Sequence, residues 1–114
     1  MVRSVFVKKT NIAVMADNAS CRTIKLLVRL DNDDISERTV RVTAEIMDAQ
    51  QRLITACCKR AFLVGMGSVE TELAVFLAQP KLWNERNEPY LYHAKFTVQE
   101  HEKELDCCEQ TFRV

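Results

Sequence analysis

Cysteine is the residue type whose spacing could most readily give this chain chemistry, as a metal ligand or as a nucleophile. Five cysteines form an odd set with two vicinal pairs: Cys21, Cys57, Cys58, Cys107 and Cys108. They show no C-x-x-C spacing and no histidine partner, so the pattern predicts no tetrahedral metal site. Free cysteine usually behaves as a small buried hydrophobe, and neighbours on a strand point to opposite faces. We therefore expect each vicinal pair to place one thiol inward and one outward, in a chain whose cysteine usage suits a reducing compartment.

Carboxylates and histidines could supply acid–base catalysis, but their positions are typical of solvated turns. The sixteen acidic residues concentrate in stretches such as "DNDD" (31–34) and "EHEKE" (100–104), whereas a glycosidase needs two carboxylates on opposite sides of one bond. The stretch "DNDDIS" has part of a calcium-loop pattern, yet Ile35 stands where a ligand belongs and no glycine takes the sharp turn. His93 and His101 are expected at the surface. The sequence thus predicts no catalytic residue, no cofactor and no metal.

Length and net charge indicate a single domain that does not bind nucleic acid or an anionic membrane. The chain has 114 residues and a mass of 13.1 kDa, enough for a single domain, 1–114, with its own core. Sixteen basic residues balance sixteen acidic ones, so neither nucleic acid nor an anionic membrane is an expected partner. The apolar runs are too short for a membrane span or an export signal. Localisation stays open between cytoplasm and periplasm, because we expect a piece of a longer protein whose signal would lie upstream.

A two-residue hydrophobic period recurs along the chain and predicts β-strands. The residues predicted to face inward are Ile24, Leu26, Val28 and Leu30; Val40, Val42, Ala44 and Ile46; Val69, Thr71, Leu73, Val75 and Leu77; and Tyr90, Tyr92, Ala94, Phe96 and Val98. Shorter strands are predicted at 3–9, 52–58, 61–64 and 104–113, and "GMG" (65–67) is predicted to be a turn. The total is about seven or eight strands.

These strands predict an all-β fold. Many short strands separated by polar turns are typical of an antiparallel β-sandwich, in which two sheets pack face to face. The stretch "VQEHEKELDCCE" (98–109) leaves a helix open as an alternative, because Glu and Lys dominate it. We favour a hairpin there, since the preceding residues already alternate.

The stretch "PKLWNERNEPYLYHAKFTV" (80–98) collects rigid residues in one connection. Pro80 cannot donate to a strand ladder and so ends the preceding strand, after which Leu82 and Trp83 can cover the open end of the sandwich. Pro89 stiffens the entry into the next strand. We interpret Trp83 as a structural plug, because a buried Trp is common in this architecture. A sugar-stacking role for the same side chain is the alternative.

The same stretch carries a family resemblance. Its order of residues resembles the signature of the immunoglobulin-like β-sandwich domain of glycoside hydrolase family 2, the β-galactosidase, β-glucuronidase and β-mannosidase group. The matching residues are Leu82, Trp83, Asn87, Pro89, Tyr90, Leu91 and Tyr92. "VRSVFVKK" (2–9) resembles the first strand of that domain, "KLLVRLDN" (25–32) its second and "CCEQTFRV" (107–114) its last. The turn "QEHEKE" (99–104) lacks the Asp-Gly that is common in the family.

The resemblance implies a mechanical role. In this family a sugar-binding domain comes first, the sandwich second and a (β/α)8 barrel third, and both catalytic glutamates belong to the barrel. The chain is then expected to be a non-catalytic scaffold of a retaining β-glycosidase, foremost a β-galactosidase. Its expected partners are the sugar-binding domain and the barrel, with contacts to a second subunit if the parent is a homo-oligomer. The alternative is a free-standing module that binds carbohydrate or protein.

Overall fold

A computed structural model describes residues 5–18, 21–78 and 91–113, with the backbone alone described at 16–18 and 21. Within these ranges the chain forms seven strands and no helix: β1 (Val5–Asn18), β2 (Cys21–Asn32), β3 (Arg38–Met47), β4 (Leu53–Leu63), β5 (Ser68–Ala78), β6 (Tyr92–Glu100) and β7 (Lys103–Phe112). No helix in this part of the chain is therefore long and apolar enough to cross a membrane.

The strands form two antiparallel sheets. One sheet has three strands in the order β1-β2-β5, and the other has four in the order β4-β3-β6-β7. Consecutive strands change sheet between β2 and β3, between β4 and β5 and between β5 and β6. Connections of this kind are typical of immunoglobulin-like sandwiches. The prediction of an all-β immunoglobulin-like sandwich is confirmed.

The core lies between the two sheets, where the predicted inward residues meet. On β2 and β3 all eight predicted side chains are buried, and on β5 four of the five are, with Val69 partly buried against the same core. On β6 the buried residues include Tyr92, Ala94, Phe96 and Val98, as predicted. Tyr90 lies outside the described residues. Fully burying a Val, Leu, Ile or Phe side chain stabilises the fold by about 1.5–3 kcal/mol.

Two strands are longer than the sequence pattern predicts, and each extension has a physical cause. The predicted strand at 3–9 continues to Asn18, because a register shift between Val7 and Lys9 reverses the inward–outward alternation and hides the continuity. The segments 52–58 and 61–64 form the single strand β4. The adjacent charges of Lys59 and Arg60 interrupt its hydrophobic period, as charged residues often do on edge strands.

The helix alternative for 98–109 is not formed. Instead β6 and β7 make a hairpin, whose two-residue loop consists of His101 and Glu102. Strand β7 also contacts β1 of the other sheet. The backbone N–H of Val7 donates to Asp106 Oδ2 at 2.9 Å, and Thr10 Oγ1 donates to Gln110 Oε1 at 2.7 Å. The first of these bonds satisfies a backbone donor beside the register shift in β1, and both hold the two sheets together along one side.

Asn32 connects the loops at one end of the sandwich. It is 2% exposed, and its Nδ2 donates to the carbonyl oxygens of Ser36 and Val64, each at 3.0 Å. Its Oδ1 accepts from the N–H of Asp34 at 3.0 Å, and its own N–H donates to the carbonyl of Gly67 at 2.8 Å. One side chain therefore holds the β2–β3 loop (33–37) against the β4–β5 turn (64–67). We call these four bonds the Asn32 brace.

The β4–β5 turn fits closely under the β2–β3 loop. A Cβ added to Gly65 would lie 2.0 Å from the carbonyl oxygen of Ile35, so only glycine permits this approach. Met66, the next residue, has φ 58° and donates its N–H to the carbonyl of Asp34 at 2.8 Å. The predicted turn at 65–67 is confirmed. Its left-handed residue is Met66 rather than either glycine.

We expect Asn32→Ala to destabilise the chain by about 2–4 kcal/mol. The substitution leaves two carbonyls and one N–H in the brace without partners, and an unsatisfied buried group costs about 1–3 kcal/mol. Urea unfolding followed by Trp fluorescence measures the difference. The control is Asn11→Ala, on the exposed outer face of β1, which should change the free energy of unfolding by less than about 0.5 kcal/mol. Equal effects of the two substitutions would contradict the structural role of the brace.

Candidate functional site

A surface cavity of about 710 Å³ opens at the end of the sandwich that carries the Asn32 brace. Strands β3, β4 and β6 and the β6–β7 turn supply its walls. The lining residues are Glu37, Thr39, Val40, Arg41, Arg60, Gln99, Glu100, His101 and Glu102. Alternation on β3 and β4 turns Thr39, Arg41 and Arg60 away from the core, so the cavity lies on the outer face of the four-stranded sheet.

Two arginines face each other across neighbouring strands in this cavity. Arg41 on β3 is the register partner of Arg60 on β4, and on its other side it is paired with Gln99 of β6. Both arginines are exposed, and within the described ranges neither has a carboxylate within 4.0 Å. Like charges directly opposite each other on a sheet are destabilising. The cavity therefore carries charges of both signs, because Glu37, Glu100 and Glu102 line it together with the two arginines.

A second charged group lies beside the cavity, and its charges are paired with one another. Arg38, at the start of β3, donates through Nη2 to Asp34 Oδ2 and through Nη1 to Glu100 Oε1, the latter at 2.7 Å. The hydrogen bond from Arg38 and a further one from the backbone of Ser36 hold the pKa of Asp34 below its usual range. The same contact with Asp34 raises the pKa of Arg38. The group ties the β2–β3 loop to the end of β6.

The carboxylates that this end brings together do not form an acid–base pair. Asp34 and Glu100 approach each other through one guanidinium group that binds both. A retaining glycosidase instead needs two carboxyl groups about 5–5.5 Å apart, one of them with a raised pKa so that it can donate a proton. The lowered pKa of Asp34 is the opposite of that requirement. The geometry therefore fits charge neutralisation within the fold.

The residues of the family signature lie mostly beyond the described ranges. Leu82, Trp83, Asn87, Pro89 and Tyr90 are outside them, so their predicted roles, including the plug at Trp83, stay predictions.

Two residues of the signature are described. Leu91 is 38% exposed, and Tyr92 is buried at the start of β6. The ring of Tyr92 stacks on Phe112 of β7, with centroids 5.6 Å apart and planes at 24°. Tyr92 therefore packs where the first residue of β6 meets the last residue of β7.

The vicinal cysteines are arranged as the sequence predicts. Cys57 and Cys108 pack against the core, whereas Cys58 and Cys107 are exposed, and all four are free thiols. Burial raises the pKa of the Cys57 and Cys108 thiols, which keeps them protonated and unreactive. The side chain of Cys21 lies outside the described residues.

The remaining candidate ligands do not converge. His93 is partly buried on the outer face of β6 and His101 is exposed in the β6–β7 turn. In the part of the chain that the structure describes, no three His, Cys, Asp or Glu side chains come close enough to hold a metal ion.

Comparison with known proteins places the chain in a family. A sequence model of the family described as "Glycosyl hydrolases family 2" matches residues 5–112. The chain belongs to glycosyl hydrolase family 2. No curated protein matches its sequence.

Solved structures share the fold of this family 2 chain at low sequence identity. A β-glucuronidase from glycoside hydrolase family 2 superposes with a TM-score of 0.90 at 14% identity, over 97% of this chain and 13% of its own. A Bacteroides fragilis protein assigned as a β-galactosidase gives 0.90 at 19%, over 97% and 18%. A family member from Bacteroides cellulosilyticus gives 0.89 at 18%, over 97% and 15%. The chain thus spans less than a fifth of the length of these proteins.

Sequence reasoning did not find the Arg38 group, the Asn32 brace or the arginine pair. Each depends on which residues of different strands become neighbours, and a single sequence without strand register carries no such signal. The β6–β7 hairpin was predicted, but the sequence could not show that its turn lines the cavity, because that depends on the register of β6 against β3.

We expect a variant in which Asn-Gly replaces His101-Glu102 to be more stable by about 1–2 kcal/mol. Both residues have positive φ, 50° and 69°, a conformation that costs an ordinary residue about 1–2 kcal/mol and that Asn-Gly adopts readily in two-residue hairpins. Urea unfolding gives the difference. Ala-Ala at the same positions is the control, because it keeps the strain and should give no gain. A loss of stability with Asn-Gly would contradict this account of the turn.

We expect Asp34→Asn to flatten the loss of stability in acid. Because the folded pKa of Asp34 is lowered, its carboxylate stabilises the fold above its unfolded pKa of about 3.9, and this contribution disappears as the pH falls through the folded pKa. The free energy of unfolding, measured from pH 5 to pH 2, should therefore fall less steeply with decreasing pH in the variant. Arg38→Gln removes the main cause of the shift but keeps the bond from Ser36, so it should flatten the profile in part, and the double variant should match Asp34→Asn. Wild-type slopes in both single variants would rule out this coupling.

Proposed function

We propose that the chain is a non-catalytic scaffold domain of a β-glycosidase, which fixes the positions of the domains before and after it. The observation that carries the proposal is the match of the family model to residues 5–112 in a chain that spans only 13–18% of the solved enzymes sharing its fold. A sandwich of this size is one part of such a protein. Catalysis would then belong to another part of the parent polypeptide.

The electrostatics of the described residues support a role without catalysis. A glycosidase acid needs a pKa raised toward neutrality. Among the described carboxylates, Asp34 and Asp48 have pKa values that clearly depart from the ordinary range, and both are lowered. Asp48 accepts hydrogen bonds from the backbone N–H groups of Arg52 and Gln50, which stabilise its charged form. Both carboxylates are therefore suited to stabilising turns rather than to proton transfer.

The shape and connectivity suit a spacer. The molecule measures 51 × 26 × 22 Å. Strand β1 begins at Val5, which is paired with Asn32 at one end of the sandwich, while β7 ends at Phe112, which is paired with Tyr92 at the other. The polypeptide thus enters at one end and leaves at the opposite end. Domains attached at the two ends would be held apart by the length of a rigid, cross-braced sandwich.

The sugar that the parent cleaves is a finer proposal. The resemblance of the Leu82–Tyr92 signature favours a β-galactosidase, and the structural neighbours include proteins named as β-glucuronidase and as β-galactosidase. Identities of 14–19% to these proteins indicate a shared fold only. The substrate depends on the catalytic domain. We keep the β-galactoside as the predicted substrate class and assembly into a homo-oligomer as a further prediction for the parent.

The isolated chain is expected to unfold cooperatively and to hydrolyse no aryl β-glycoside. The parent polypeptide is expected to hydrolyse one of three 4-nitrophenyl substrates, the β-galactoside first, with the β-glucuronide and the β-mannoside as comparisons. Turnover is measured by nitrophenol release at matched protein concentration. Activity of the isolated chain that Asp34→Asn abolishes would overturn the proposal. Heat released when the isolated chain is titrated with oligosaccharides would favour the alternative of a carbohydrate-binding module.

A further inference from the structure

We infer that the end of the sandwich carrying the Asn32 brace is the surface on which another domain of the same polypeptide docks. Four large apolar side chains are exposed there: Ile35 (87%), Phe62 (55%), Val64 (56%) and Met66 (65%). We call these four residues the apolar end. This inference rests on the proposed function, since it names the surface through which the scaffold would hold its neighbour.

The four side chains lie on neighbouring segments at this end of the sandwich. Phe62 and Val64 are two residues apart along β4 and its extension, so alternation places them on the same side. Gly65 packs against the backbone of Ile35, and the N–H of Met66 bonds to the carbonyl of Asp34. The β2–β3 loop and the β4–β5 turn therefore bring their apolar residues to the same place. Exposed apolar residues that cluster mark interaction sites more often than isolated exposed residues do.

The backbone at Met66 is unfavourable for the residue that occupies it. Its φ of 58° is left-handed, and the third position of such a turn is usually glycine or asparagine. Here an apolar side chain takes that conformation and projects 65% of its surface into solvent. A side chain exposed to this extent contributes little to the core. Strained residues with no internal benefit are typical of binding surfaces, where the contact that they make offsets the strain.

The apolar end is also held in place before any partner arrives. The Asn32 brace fixes the loop and the turn through the carbonyls of Ser36, Val64 and Gly67. The Asp34–Arg38–Glu100 group ties the same loop to β6. A partner that binds a preorganised surface loses less conformational entropy on binding, which favours a defined orientation between domains.

The charges beside the apolar end specify the chemistry of the partner. Thr39 and Phe62 are register partners, and the next outward-facing row along the same strands is Arg41 and Arg60. The two arginines have no carboxylate partner within the described residues. Aromatic, Met and Arg side chains are enriched in the centres of protein interfaces. Because Glu37, Glu100 and Glu102 line the same cavity as the arginines, the partner surface is apolar opposite the apolar end and polar, with charges of both signs, beside it.

Chain connectivity favours a domain of the same polypeptide as the occupant. The solved neighbours are each more than five times longer than the part that this chain matches, because the match covers at most 18% of them. Strand β1 starts beside Asn32, so the polypeptide enters the sandwich at the apolar end. A domain joined there would have a high effective concentration at this surface. Interfaces between domains of one chain commonly bury about 600–1,500 Å².

Carbene footprinting of the isolated chain and of the parent polypeptide tests the inference. Photolysed diazirine labels exposed side chains, and peptide mass spectrometry reads the extent at each site. We expect labelling of the apolar end to fall at least about threefold in the parent, because docking removes it from solvent. Phe76, 67% exposed on the outer face of the other sheet, is the internal control and should label equally in both.

The other outcomes separate this inference from the proposed function. An unprotected apolar end, with protection instead of Phe76 or of Leu53 (60% exposed at the opposite end), would overturn the docking surface and leave the scaffold proposal standing. Equal labelling everywhere would overturn both. Protection of the apolar end in the isolated chain that increases with protein concentration would identify a second copy as the occupant and so contradict a domain of the same polypeptide.

A matched pair of substitutions separates docking from folding. Met66→Gly and Gln51→Gly each replace a left-handed residue, at φ 58° and 62°, in turns at opposite ends of the sandwich. Both should leave the isolated chain at least as stable as the wild type, since glycine adopts this conformation without strain. In the parent, Met66→Gly alone should raise labelling of Phe62 and Val64 toward the level of the isolated chain. The same rise with Gln51→Gly, or no rise with Met66→Gly, would overturn the assignment of Met66 to the interface.

Discussion

The hydrogen bonds of the Asn32 side-chain amide are the interactions on which one whole end of the molecule depends. In a sandwich the polypeptide passes from one sheet to the other at the ends. The loops there leave backbone N–H and C=O groups without partners on a neighbouring strand. Asn32 meets this need from a buried position, since it bonds to both the β2–β3 loop and the β4–β5 turn. The close contact of Gly65 with Ile35 and the exposed Met66 lie in the loop and turn that Asn32 joins.

The described strands form a rigid, cross-linked core. Two sheets share one apolar core, and hydrogen bonds from β1 to Asp106 and Gln110 of β7 hold them together on one side. The cysteines that lie against the core have raised pKa values, and the shifted aspartates have lowered ones. Both kinds of shift keep the groups in inert states at neutral pH. A rigid core and an apolar end flanked by arginines suit the positioning of other domains.

Much of the fold could be predicted from the sequence, because each half-buried strand leaves a two-residue period. Ile24 to Leu30 and Val40 to Ile46 are buried as that period predicts. The prediction stopped short where the period was interrupted, at the register shift after Val7 and at the charged pair Lys59 and Arg60. The vicinal cysteines followed the same rule of alternating faces.

The candidate site was harder to predict, since it is made by contacts between strands. Nothing in "DNDDIS" indicates that Asp34 binds Arg38 and Glu100, because Glu100 is 62 residues away from Arg38. The left-handed conformation of Met66 also escaped prediction, as two flanking glycines are the residues expected to take it. The family was accessible because its signature is local, running from Leu82 to Tyr92, and the family match over residues 5–112 agrees with it.

Reading the gene on both sides of these 114 residues tests the central claim most directly. The account predicts one open reading frame that continues beyond Val114 into alternating strands and helices of a catalytic barrel with two glutamates. It also predicts a further domain upstream of Met1. A frame that starts at Met1 and stops after Val114 would contradict a scaffold within a β-glycosidase, and a free-standing binding module would take its place.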